Sequence, residues 1–249
     1  MADPLAVVTG ASGGIGQALA HEFARHGFDL LLSGRERVPT LEAAETVIAD
    51  LATPEGVAQL YGRVRRRDVT VLALNAGISA RSDDLERELA LVDLNVRGTV
   101  HLARLVTADM AARGRGRVLL TASIVDTMPG PYQAAYNASK AFIESFGLGL
   151  RAELRDRGVS VTVLEPGPTE TAIFARAGQR DTLLGSTVPK DDPADVARQA
   201  FEALMAGRER VVTASLASKA SHLAARFIPN AVTSRLTALL TRPGGGPRS

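Results

Sequence analysis

Tyr136 and Lys140 stand four residues apart in Tyr136-Asn137-Ala138-Ser139-Lys140, a spacing that puts both on one face of a helix. An ordinary phenol ionises near pH ~10 and is a poor acid or base at neutral pH. An ammonium beside it stabilises the phenolate, which predicts a lowered pKa and a pair able to move a proton to or from an alcohol or carbonyl oxygen. An accidental surface pair would have the same spacing. Here, however, the chain has only 3 Tyr, and Lys occurs only at 140, 190 and 219. The helix also follows a strand pattern ending Thr121-Ala122-Ser123, so Ser123 and Tyr136 can converge at the end of that strand.

A second constellation lies at the start of the chain. An apolar run leads into Thr9-Gly10-Ala11-Ser12-Gly13-Gly14-Ile15-Gly16, after which Ile15, Leu19 and Phe23 recur with helical spacing. A strand–glycine turn–helix unit presents backbone N–H groups at a helix N-terminus, which is an anion site that a pyrophosphate fits. Gly10 permits the turn, Gly14 lets a ligand approach the backbone, and Gly16 lets helix and strand pack closely. A plain turn rarely needs so many glycines, although such patterns also match by chance. Asp50, at the end of the third strand, is within reach of an adenine amino group. Asn75-Ala76-Gly77 ends the fourth strand, at the carboxyl edge where open α/β sheets bind ligands. In this order along one edge, the features point to a dinucleotide.

Alternating elements must position these residues. The patterns predict strands at Leu5–Thr9, Phe28–Ser33, Thr46–Ala49, Val69–Leu74, Arg117–Thr121, Val159–Leu164 and Arg210–Thr213. They predict helices at Ile15–His26, Pro54–Arg65, Asp84–Ala112, Tyr132–Arg157 and Pro193–Ala206. Thr53-Pro54 and Asp192-Pro193 read as a cap followed by Pro at the first helical position. Such alternation implies an α/β fold, a doubly wound parallel sheet of about seven strands covered by helices on both faces. Residues 1–249 read as one domain, with a flexible tail at 243–249.

Composition narrows the function classes. The chain has 249 residues, 45% hydrophobic and 22% charged, with a net charge of +2. Such a composition is ordinary for a globular protein. No run is long and apolar enough to predict a spanning helix, and the N-terminus lacks a signal-peptide pattern, so a cytoplasmic protein is expected. With Cys 0, disulfides, thiolate metal sites and cysteine nucleophiles are excluded. The four histidines show no metal-ligand spacing, and no metal is expected. Arg63, Arg65, Arg66 and Arg67 read as the solvated end of a helix. With 4% aromatics, nucleic acid is not an expected partner.

Taken together, these residues resemble the short-chain dehydrogenase/reductases in their compact single-domain branch, with a Rossmann-type sheet. The resemblance rests on Thr9-Gly10-x-x-x-Gly14-x-Gly16, Asn75-Ala76-Gly77, Asn95, Ser123, Tyr136-x-x-x-Lys140 and Pro166-Gly167, in order from Leu5 to Thr171. It implies a catalytic set. Tyr136 is the general acid/base, Lys140 lowers its pKa and holds the nicotinamide ribose, Ser123 holds the substrate oxygen, and Asn95 supports a water that links Lys140 to solvent. It also implies a cofactor site on Gly10, Ser12, Gly13, Gly14, Ile15, Gly16, Asp50, Leu51, Asn75, Ala76, Gly77, Tyr136, Lys140, Pro166, Gly167, Thr169 and Thr171.

Which nicotinamide cofactor is expected turns on Ser33-Gly34-Arg35. An acidic residue here would bind the ribose hydroxyls; Gly34 stands in that place, and Arg35 can grip a 2′-phosphate. NADP(H) is therefore expected, with NAD(H) as the alternative. Relatives that use NADP often carry a basic residue where this chain has Gly13. The expected activity interconverts a ketone or aldehyde and an alcohol on a partly hydrophobic small molecule. A non-enzymatic cofactor-sensing or scaffold protein on the same fold is the alternative, disfavoured by the intact set Asn95, Ser123, Tyr136 and Lys140.

Beyond Thr171 the likeness thins. Segment 172–190 is expected to form a substrate lid. Residues 215–240 are expected to form extra C-terminal helices over the cleft or against a partner subunit. Contact of this basic, amphipathic end with a membrane surface is the less favoured reading. The Asp-Gly-Gly turn that many relatives use in tetramers is absent, which favours a homodimer over a tetramer.

Overall fold

Along β1 (Leu5–Thr9) every side chain is buried, and alternate residues enter opposite layers. Leu5 and Val7 join one cluster with Leu72, Leu102, Met110 and Leu150, whereas Ala6 and Val8 join another with Leu19, Phe23, Leu32 and Leu204. A strand apolar on both faces requires cover on both faces, and this sheet is covered accordingly.

The computed structural model describes residues 3–38, 41, 44–171, 182–186, 189–213 and 228–244. The other strands are β2 (Asp29–Gly34), β3 (Glu45–Ile48), β4 (Val69–Leu74), β5 (Gly116–Thr121), β6 (Val159–Pro166) and β7 (Arg210–Thr213). They form one 7-stranded sheet in the order β3-β2-β1-β4-β5-β6-β7. All six pairings are parallel. The order reverses between β1 and β4, which opens a crevice at their carboxyl ends.

The helices are α1 (Gly14–Arg25), α2 (Pro54–Val64), α3 (Leu85–Val92), α4 (Thr99–Arg113), α5 (Ala134–Leu154), α6 (Leu183–Ser186), α7 (Pro193–Met205) and α8 (Asn230–Thr241). Phe23 of α1 meets Phe201 of α7 edge-on, with ring centroids 5.6 Å apart. Thr53, Asp84 and Asp192 cap α2, α3 and α7 by accepting from Gly56, Arg87 and Ala194 backbone N–H groups. Each such cap contributes about 1 kcal/mol. In the predicted basic cluster, Arg63 and Arg67 both pair with Glu45, the second at 2.7 Å.

Most boundaries shift by one to three residues, and two helices differ in a way that bears on the site. The single helix expected over Asp84–Ala112 is interrupted by a π-helical turn, Asp93–Gly98, between α3 and α4. That wide turn carries Asn95, whose carboxamide is tied to the Ile78 backbone, so a regular helix gives way to a local contact. The helix expected from Tyr132 starts instead at Ala134, because Tyr132 has a left-handed backbone with φ 66°. The helical pattern expected within 215–227 and most of the expected lid (172–181 and 187–188) lie outside the described residues.

Candidate active site

Thr9 joins the two halves of the crevice. Its hydroxyl donates to the Ala73 carbonyl at 3.3 Å and accepts from the backbone N–H groups of Asn75 (3.0 Å) and Ala76 (3.1 Å). The glycine turn after β1 is thereby held against Asn75-Ala76-Gly77 after β4. A side-chain carbon on Gly10 would stand 2.8 Å from Ala76 Cα, so only glycine fits this approach. Gly16 packs on the Gly10 carbonyl, as the sequence pattern requires.

The N-terminus of α1 differs from those of α2, α3 and α7. Its cap residue is Gly13, no side chain caps it, and its first turn holds no acid. Its backbone N–H groups thus have no side-chain acceptor in the crevice, and an anion there completes them. Gly14 has φ +55°, and a side-chain carbon on it would lie 2.7 Å from Thr171 Cγ2. Thr171, five residues beyond the end of β6, therefore closes over the turn. The uncapped start of α1, with open space around Gly13, fits a dinucleotide pyrophosphate. Ser12 and Ile15 are half-buried along the same turn.

Pro166 ends β6, and the Gly167 N–H donates to the Thr213 carbonyl at 3.1 Å. Thr169 is buried and donates its hydroxyl to the Gly167 carbonyl at 2.9 Å. Asp50 follows β3 and accepts from the Ala52 N–H at 3.0 Å, which orients its carboxylate at the same edge. Leu51 beside it is buried, and its carbonyl packs on Gly98. Arg35 follows the last residue of β2 and is exposed, with Glu36 beside it at 3.7 Å. Gly34 is buried close to Ser12.

The proton-handling residues meet at the same edge of the sheet. The Ser123 hydroxyl hydrogen-bonds Tyr136, which favours the phenolate, but burial of the phenol outweighs it and pushes Tyr136 up to about 12. In the chain alone, burial and Ser123 set that direction. The Lys140 ammonium donates instead to the Thr121 carbonyl at 2.9 Å, and Nζ lies 5.7 Å from the centre of the Tyr136 ring. Both groups do share one face of α5, as their spacing predicts.

Asn95 is buried and committed. Its Oδ1 accepts from the Ile78 N–H at 2.9 Å, while Nδ2 donates to the Ile78 carbonyl (2.9 Å) and to Ser139 Oγ (3.1 Å). Asn95 thus clamps the loop after Gly77 to α5 beside Lys140. Three supporting residues escaped the sequence reading. Thr121 supplies the Lys140 acceptor and also donates to Asn75 Oδ1 at 3.3 Å. Ser139 joins Asn95 to α5, and Asn137 donates to the Val125 and Met128 carbonyls (3.3 and 2.8 Å), pinning the loop after Ser123. The last two lie inside the Tyr136–Lys140 motif, which was the available signal.

An open parallel α/β sheet with a glycine cradle and a Ser–Tyr–Lys cluster at its switch point defines a nucleotide-dependent oxidoreductase site. A family model described as short chain dehydrogenase matches residues 4–182. An uncharacterized oxidoreductase of Staphylococcus saprophyticus is 32% identical over 219 residues, covering 81% of this chain and 91% of that protein. The NADP-dependent 3-hydroxy acid dehydrogenase of Salmonella typhimurium is 30% identical over 177 residues, covering 66% and 71%. Among solved structures, the short-chain dehydrogenase from Sphingobium yanoikuyae in complex with NADPH superposes with a TM-score of 0.78 at 26% identity, covering 89% of this chain and 92% of that one. The bulky-bulky ketone specific alcohol dehydrogenase from Comamonas testosteroni gives 0.74 at 25% identity, covering 89% and 90%. The chain belongs to the short-chain dehydrogenase family. It is an oxidoreductase of that family.

Proposed function

We propose that this protein is an NADP(H)-dependent reductase of partly hydrophobic ketones or aldehydes, able to run in reverse on the alcohol. The observation that carries this reading is the hydrogen-bonded Ser123–Tyr136 pair, with Lys140 on the same helical face, at the sheet edge that also carries the glycine turn. When bound, the nicotinamide supplies the hydride for reduction and accepts it for oxidation.

The chain's own residues do the rest. The Ser123 hydroxyl donates to the substrate oxygen and stabilises the negative charge that develops there. The protonated Tyr136 Oη delivers a proton to the same oxygen. A phenol pushed up to about 12 is fully protonated at neutral pH, so the resting site is charged with its proton for reduction. Lys140 holds the nicotinamide ribose and brings positive charge to the phenolate that remains. Asn95 holds the Ile78 loop and Ser139 in place beside Lys140 and supports the water through which the proton is replaced.

Arg35 carries the NADP(H) preference. It is exposed immediately after β2, beside Glu36, and a guanidinium there grips a 2′-phosphate in two-pronged fashion. The NADPH complex of the Sphingobium yanoikuyae relative and the NADP dependence of the Salmonella protein support the same assignment. The ketone-specific Comamonas testosteroni relative supports a carbonyl substrate. Calorimetric titration with NADPH and NADH tests the reading. NADPH is expected to bind at least about tenfold tighter, with the order reversed in Arg35→Asp. Unchanged NADPH affinity in that variant removes Arg35 from the site, and binding of neither nucleotide overturns the reading.

A further inference from the structure

The C-terminal helix α8 is amphipathic with its polarity inverted. Its buried stripe is Thr233, Thr237 and Thr241, at 3%, 7% and 6% exposure. Its outward stripe is Val232, Leu236, Leu239 and Leu240, at 47%, 54%, 62% and 42%. The buried hydroxyls are satisfied locally. Thr233 donates to the Asn230 carbonyl, Thr237 to that of Thr233, and Thr241 has the carbonyls of Pro131 and Thr237 as acceptors for its one hydroxyl proton, at 2.8–3.1 Å. The inward face therefore needs nothing further, while four large apolar side chains face outward from a single helix. Removing that stripe from water would be favourable.

Charge identifies what the stripe fits. Arg235 and Arg242 lie along one flank of it, both exposed, and no acidic residue pairs with either among the described residues. From Ala214 to Ser249 the sequence contains Lys219, Arg226, Arg235, Arg242 and Arg248 but no Asp or Glu. The chain total is +2, so this end carries +5 and the remainder −3. A second exposed apolar stripe, Leu85, Leu89 and Val92 on α3, is instead interleaved with Glu86 and Glu88. No described helix is long and apolar enough to cross a membrane.

We infer that α8 docks flat on an anionic lipid surface, with Val232, Leu236, Leu239 and Leu240 entering the headgroup–acyl boundary and Arg235 and Arg242 meeting the lipid phosphates. An in-plane helix with an apolar face and an arginine-lined edge binds such a surface by both routes. Tyr132, 43% exposed, follows Pro131, whose carbonyl accepts from Thr241, so an exposed tyrosine is anchored by its backbone near the end of the docking helix. The same loop leads into α5 and Tyr136, so a docked protein holds its catalytic helix next to the bilayer. The inference stands on α8 alone and does not depend on the cofactor or the substrate.

Co-sedimentation of the full chain with vesicles tests it. Equimolar phosphatidylcholine and phosphatidylglycerol vesicles are compared with pure phosphatidylcholine. The chain is expected to bind the anionic vesicles roughly tenfold or more tightly than the neutral ones, and less tightly as salt rises. Leu236→Ser/Leu239→Ser and, separately, Arg235→Glu/Arg242→Glu are each expected to weaken binding at least about tenfold, with melting temperature and NADPH affinity unchanged. Equal binding to both vesicle types, or no binding to either, overturns the inference. A concentration-dependent dimer in sedimentation that Leu236→Ser/Leu239→Ser dissociates, without vesicle binding, overturns it in favour of a second copy of this chain.

Discussion

The Lys140 ammonium is held 2.9 Å from the Thr121 carbonyl oxygen, two residues before Ser123 on the same strand end. β5 thus fixes both the cation and the oxygen donor that flank Tyr136. Lys140→Met removes the charge while keeping most of the stem, and leaves a buried carbonyl without its donor. We expect kcat for ketone reduction to fall by about 10²-fold or more, with a weaker nicotinamide cofactor. Lys140→Arg should not rescue it, because a planar guanidinium cannot reproduce a point charge in this buried slot. Steady-state kinetics of both variants check this.

Tyr136 gives an alkaline signature. Its folded pKa of about 12 lies above the ordinary 10. Below pH ~10 both folded and unfolded states keep the proton, and the contribution to stability is complete. As pH rises from 10 through 12 the unfolded chain releases it first, so stability is lost. Tyr136→Phe should flatten that loss while reducing reductase activity by about 10²–10⁴-fold. Denaturant unfolding at pH about 9 and about 11, for both proteins, separates the two effects.

Thr171 and Gly14 test the packing on the glycine turn. Gly14→Ala forces an alanine to φ +55° with its Cβ 2.7 Å from Thr171 Cγ2. The left-handed backbone alone costs about 1–2 kcal/mol. We expect a lower melting temperature and NADPH binding weakened by about tenfold or more. Adding Thr171→Ser deletes Cγ2 and should recover part of the loss, whereas additive losses would show that the two residues do not meet.

Gly13 predicts a gain. Its backbone is extended, and a side-chain carbon there meets nothing within 4 Å. Gly13→Arg should place a second cation near Arg35 and raise the NADPH-over-NADH ratio by about tenfold without lowering the melting temperature. A drop in NADPH affinity would place the 2′-phosphate elsewhere.

Much of this architecture could be read from residue patterns. The seven strands followed from apolar runs, and buried parallel strands leave little freedom in where such runs go. Gly10, Gly14, Ser123, Tyr136 and Lys140 meet at one edge because chain order and strand order together bring them there. What was not legible depends on contacts between distant segments. Nothing in Asp84–Ala112 shows that Asn95 bonds Ile78 and that the helix widens around it. The raised Tyr136 pKa needs the burial of the phenol, which a spacing cannot provide. Residues 215–240 read as a basic, amphipathic helical end, but nothing in the pattern shows that Thr233, Thr237 and Thr241 take the inward face of α8.

The most direct test of the central claim is a single-turnover assay. The protein is loaded with NADPH, mixed with a panel of hydrophobic ketones, and followed by loss of the reduced-nicotinamide absorbance. The wild type should consume NADPH with at least one ketone, while Tyr136→Phe binds NADPH equally well and consumes it at least about a hundredfold more slowly. Turnover by Tyr136→Phe at the wild-type rate, or no turnover by the wild type across the panel, would contradict the assignment of Tyr136 as the proton donor to a carbonyl.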